Sequence, residues 1–130
     1  MARIEVPVSF GELVDKVTIL EIKSARMTDA GKLANVRREL DDLMVKLAPL
    51  LAGHAALAPL KVSLRALNET LWQAEDDIRD CERNKDFGKR FVDLARSVYR
   101  TNDKRAAAKR EIDALLGSEI VEEKSYASYD

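Results

Sequence analysis

The sequence predicts an all-α fold, a helical bundle in a single domain over residues 1–130, and three observations predict it. Leu33, Val36, Leu40, Leu43, Leu47 and Leu50 recur at alternating intervals of three and four, as do Leu57, Leu60, Leu64, Leu67, Leu71, Ala74, Ile78 and Cys81. Each series is one apolar seam on a helix. Charged residues make up 35% of the chain and aromatics only 5%, so the core must be built from Leu, Val, Ile and Ala, as in long helices. A chain of 130 residues is the size of one domain and buries roughly two-thirds of its unfolded surface.

The first element is an extended arm. Ile4, Val6 and Val8 alternate with polar or proline positions, and Pro7 confines any strand here to an edge. Ser9 stands three residues before Glu12, the spacing of a capping box, so helix 1 is predicted over about 9–26 along Leu13, Val14, Val17, Leu20 and Ala25. The two leucine seams give helix 2 over 30–52 and helix 3 over 58–84. Their joint, AGHAALAP, is short, so the pair is expected to double back as a long antiparallel coiled-coil-like hairpin. Pro59 suits the first turn of helix 3, where its missing amide costs nothing. RNKDFG breaks the pattern. Asp86 is the expected N-cap of helix 4, 87–116, which Gly117 closes after about 45 Å at 1.5 Å per residue. The tail, 117–130, has no helical period; Ile120, Val121, Tyr126 and Tyr129 suit anchors of a segment that folds back, beside the arm.

The last helix holds the unusual feature. Phe87, Phe91, Leu94 and Val98 form its stripe, and Asn102, Arg105 and Lys109 then take the next steps before Ile112 and Leu115 restore it. Arg105 falls on the inner face in either register, so its guanidinium needs an anionic or carbonyl partner. Glu21 of helix 1 projects between Val14 and Val17, inside the apolar arc, and Asp15 lies at its edge beside Ile19 and Ile22. The structural expectation is that Glu21 or Asp15 meets Arg105 or Lys109, making one buried charged layer that fixes the bundle's register. The functional alternative is an anion pocket, in which Arg105, Lys109 and Asn102 hold a phosphate or carboxylate and Tyr126 and Tyr129 close the opening.

Charge is arranged in blocks. From Arg83 to Arg110 there are ten basic residues against three acids, and from Leu67 to Glu82 six acids against Arg79. Such neighbours are expected to pair within the fold or stay solvated. With a net charge of -1 and no stacking platform or matching motif, nucleic acid is not expected as a partner. The lone Cys81 and lone His54 exclude an intrachain disulfide and a thiolate-rich zinc site, and Cys81 fits a small core residue. Trp72, just off the seam, suits packing. Acid pairs three apart, Glu39 with Asp42 and Asp77 with Asp80, have a spacing that magnesium sites on helices use but that is common by chance, and no metal is expected. A chorismate-mutase-like clamp on two carboxylates would draw on Arg26, Arg37, Arg105 and Lys109, whose spacing is scattered. Phosphate-loop, nucleophile-elbow and Cys/His motifs are missing, and no cofactor is implied. No apolar run approaches the roughly 20 residues that cross a bilayer, and MARIEVPVSF lacks the features of a signal peptide, so the cytoplasm is the expected compartment.

Three segments, PVSFGELVDKVTILEIK, KDFGKRFVDLARSVYRTNDKR and GSEIVEEKSY, together resemble a family of short uncharacterised bacterial proteins associated with surface-polysaccharide glycosyltransferase contexts. The resemblance spans nearly the whole chain. It implies a role in polysaccharide or lipopolysaccharide assembly, with a sugar nucleotide as ligand or a glycosyltransferase as partner. Exposed coiled-coil seams usually find a second copy, so a homodimer is expected. The expected function is therefore a non-catalytic interaction or assembly module in surface-polysaccharide metabolism, with a small-anion site at Arg105 and Lys109 as the alternative.

Overall fold

The structure is a computed structural model that describes residues 2–130. It contains four helices: α1, Phe10–Arg26; α2, Ala30–Gly53; α3, Leu57–Arg83; and α4, Lys89–Leu116. No strand occurs among the described residues, and the helices pack as an all-α bundle.

Local chemistry sets the ends. Ser9 caps α1 by accepting the Glu12 amide at 3.1 Å. The reciprocal half of the box is not made, because the Glu12 carboxylate is drawn to Lys109 instead. Asp29 caps α2 through the Lys32 amide at 2.8 Å. Pro49 sits inside α2 and leaves the Val45 carbonyl without its amide partner, which is tolerated because Val45 faces solvent. Helix α4 begins later than Phe87. Asp86 accepts the Gly88 amide at 3.1 Å in a turn that Lys85, at φ 53°, helps to form, and Gly88 becomes the N-cap. At the other end Gly117 adopts φ 64°, a left-handed cap in which its amide returns to the Asp113 carbonyl.

The long antiparallel pair is α3 with α4, not α2 with α3. Beside their turn, Arg90 reaches Cys81 Sγ at 3.4 Å and Asp77 at 3.8 Å; further along, Asn68 and Arg105 converge on one carboxylate. After its turn α2 leaves α3 and lies on α1, burying Leu47 against Leu13, Val14 and Val17. The reason is that a seam specifies an apolar stripe but not the helix that covers it. Leu57 and Leu64 of α3 and Ile112 of α4 complete this core.

The arm and the tail do not pair. The arm is extended and follows α2, with Arg3 at 3.5 Å from Asp42 and Ile4 89% exposed, whereas the tail returns along α4. The two therefore run on different helices and cannot share a ladder. Leu115, expected to restore the α4 stripe, is exposed; the buried positions there are Ile112 and Asp113.

Candidate functional site

Helix α1 runs antiparallel to α4, and the two backbones touch near Gly11. A Cβ at this position would overlap the Lys109 carbonyl oxygen and come within 3.0 Å of Asp113 Oδ1, so only glycine permits the approach. The Gly11 amide, one of the orphan donors of the first turn, donates to Asp113 Oδ1 at 2.7 Å. Asp113 Oδ2 is buried and accepts no hydrogen bond.

One turn further along α1, this contact positions a charged layer. The Asp15 side chain is only 1% exposed. Arg105 grips it with two bonds, Nε to Oδ1 at 2.9 Å and Nη2 to Oδ2 at 2.5 Å, the fork geometry that suits a carboxylate. Asn68 of α3 donates to Asp15 Oδ1 and to Thr18 Oγ1, both at 2.9 Å, and the Thr18 hydroxyl in turn donates to the Asp15 backbone carbonyl at 2.8 Å. Lys109 lies beside them, 8% exposed, with its ammonium 2.7 Å from Glu12, 2.5 Å from Glu122 of the tail and 3.9 Å from Asp15. Burial alone would lower the Lys109 pKa, but its bonds to Glu12 and Glu122 raise it. The bond to Asp15 likewise raises that of Arg105 against the effect of burial. Glu122, held by Lys109, falls below its usual range.

The expected charged layer thus exists, with Asp15 as its acid. Glu21 is not part of it. Its carboxylate faces α3 and takes Lys61 at 2.9 and 3.0 Å, with Arg65 at 3.7 Å. Periodicity placed Glu21 inside the apolar arc but could not tell which neighbour that arc faces. Gly11, Thr18, Asn68, Asp113 and Glu122 went unnoticed in the sequence; the one available signal was Asn68, a polar residue just beside the α3 seam.

Arg105 is 28% exposed, and its open edge borders a groove of about 550 Å³. Ile19 and Ile22 of α1 and Leu71 and Trp72 of α3 supply its apolar lining. Asn68, Asn102 and Arg105 stand where the buried carboxylate joins the helices, and Asn102 Oδ1 accepts from Arg105 Nη1 at 3.4 Å. Glu75, Asp76 and Arg79 complete the lining. Tyr126 and Tyr129 do not close this groove. With Tyr99 and Lys124 they border a separate cavity of about 540 Å³ between α4 and the tail, which Asn102 also borders. Tyr129 donates to Asp103 at 2.5 Å, which raises its pKa, and packs edge-on to Tyr99 at 5.2 Å. The tail is anchored there as well as at Lys109.

The other candidates disperse. Arg26 pairs with Glu69 at 2.9 Å and Arg37 is exposed on α2, so neither joins Arg105 and Lys109 in a clamp. Asp42, Asp77 and Asp80 each have an arginine partner, and among the described residues no group of three or more His, Cys, Asp or Glu side chains is arranged for a metal ion. The charge blocks pair near the turn, through Arg90 with Asp77; Arg96, Arg100, Lys104 and Arg110 remain exposed. No helix among the described residues is long and apolar enough to cross a membrane.

Residues 4–129 match the model of a family of unknown function, DUF6165. No curated protein and no solved structure matches the chain.

Proposed function

We propose that this chain, which belongs to the family of unknown function DUF6165, is a non-catalytic interaction module: the charged layer locks its helices and the groove beside Arg105 receives a partner. The observation that carries this reading is the engagement of Lys109. An ammonium surrounded by three carboxylates of its own chain has no charge left for an external anion. Its role is to hold α1, α4 and the tail together. The groove, by contrast, is open, amphipathic and within the usual size range of a binding site.

The resemblance to proteins from surface-polysaccharide contexts supports a place in polysaccharide or lipopolysaccharide assembly, with a glycosyltransferase as the partner. A homodimer belongs to the same proposal. Val45 and Val62, together with Phe87 and Val92 near the α3–α4 turn, leave apolar surface for a second copy to cover. The test is co-purification of the full chain with a surface-polysaccharide glycosyltransferase from the same genome. Asp76→Arg, at the groove's rim, is expected to abolish it, and Arg38→Ala, exposed on α2 away from the groove, to leave it intact. Loss with neither variant would remove the groove from the proposal.

The second reading, a small-anion site, is favoured by one observation, the exposed edge of the Arg105 guanidinium. A thermal-shift series with phosphate, sugar nucleotides and carboxylates separates the two, because a ligand that binds only the folded chain raises its melting temperature. The interaction module expects no stabilisation by phosphate. Stabilisation that Arg105→Ala abolishes would favour the anion site.

A further inference from the structure

We infer that the groove between α1, α3 and α4 binds a flat, uncharged, hydrogen-bonding heterocycle of the nucleobase class, seated against the apolar lining of Ile19, Ile22, Leu71 and Trp72. The inference rests on the groove being the working surface, and it names the chemistry that surface takes. Apolar side chains from two different helices line it; the uncharged amides of Asn68 and Asn102 gather with Arg105 at the end nearest Asp15, and the charged groups Glu75, Asp76 and Arg79 lie further along α3. A ring with unsubstituted faces and a polar edge fits that distribution. A sugar, with hydroxyls around its whole perimeter, would leave several of them against aliphatic carbon.

Hydrogen-bonding capacity at the inner end is specific. Asn68 spends both amide protons on Asp15 and Thr18, which fixes its orientation, and no described residue donates to its Oδ1. Asn102 accepts from Arg105 and donates its own amide protons to no described residue. The inner end thus offers a fixed acceptor beside an amide donor and a guanidinium edge, the groups with which Asn and Arg read the edges of bases. Trp72 supplies the stacking surface that base recognition uses.

Charge decides against a phosphate. Glu75 and Arg79 bond to each other at 2.5 Å, Arg105 is neutralised by Asp15, and Asp76 adds a negative charge. The lining has no surplus positive charge, so the groove suits an uncharged ring.

Trp72 is the chain's only tryptophan, so its emission reports on this groove alone. The full chain is titrated with adenosine, guanosine, cytidine and uridine, with glucose and inorganic phosphate in parallel, exciting at the red edge of indole absorption. Saturable quenching by at least one nucleoside, and by neither glucose nor phosphate, is expected. Asn102→Ala should weaken that nucleoside about fivefold or more, since a good amide–base pair carries at least this discrimination. Should the variant fold poorly, the wild-type chain still answers by NMR: the nucleoside must shift the Trp72 indole and the Asn68 and Asn102 side-chain amides. No quenching up to the solubility limit, equal quenching by glucose or phosphate, or unmoved Asn68 and Asn102 signals would overturn the assignment. If no nucleoside binds yet Asp76→Arg still breaks the glycosyltransferase complex, the ligand class fails and the module stands. If a nucleoside binds and the complex ignores Asp76→Arg, the reverse holds.

Discussion

At Asp15 a single carboxylate of α1 is held by groups from two other helices, α3 and α4, and removing one holder differs in kind from removing the pair. Arg105→Leu leaves an almost fully buried negative charge with only an amide and a distant ammonium, and is expected to cost about 3–5 kcal/mol. Joined with Asp15→Leu, the loss should largely vanish, because two apolar side chains of fitting volume replace a desolvated ion pair. Denaturant unfolding of both single variants and the double variant measures this coupling; equal losses in the single and double variants would refute it. Gly11→Ala should cost about 1–3 kcal/mol by forcing α1 away from the Lys109 carbonyl. The inward Arg105 was legible because it breaks an apolar stripe in every register. Asp15 was only half legible: its angle on α1 put it at the edge of the stripe, and it becomes interior because α4 crosses there. Nothing in the letters around Gly11 distinguishes a close helix crossing from an ordinary first turn.

Among the elements, the tail is the one whose attachment depends on acidity. Glu122 has a depressed pKa, so its bond to Lys109 contributes fully above its ordinary value of 4.5 and is lost as pH falls through the lower folded value. Lys109 has a raised pKa, so its share is full below 10.5 and fades as pH climbs through the higher folded value. The latch therefore holds across neutral pH and is expected to open in acid below about pH 4.5, read as increased proteolysis within 118–130 and as a change in the Tyr129 ring signals. Glu122→Gln should remove the acid-dependent step; its persistence in that variant would assign it elsewhere. The four helices, and most of their ends, were legible from periodicity and capping residues. Their partners were not, since α2 and α3 carry equally good seams and the choice of α1 over α3 as the cover for Leu47 is made by the packed whole.

For the whole molecule, a net charge of -1 conceals an uneven surface: α4 displays Arg96, Arg100, Lys104 and Arg110, while α3 carries the acids. Self-association is expected to centre on apolar rather than charged residues, so sedimentation should give a dimer that persists in moderate salt. Phe87→Glu with Val92→Glu should shift it toward monomer; an unchanged sedimentation coefficient would exclude the α3–α4 turn as the interface. Synthesis imposes an order on this architecture. Asp15 leaves the ribosome 90 residues ahead of the arginine that neutralises it, a delay on the order of ten seconds at ordinary translation speed. Until then α1 can settle only against α2 and α3, with the side that meets Arg105 still wet, and Glu122 reaches Lys109 only after α4 has been made.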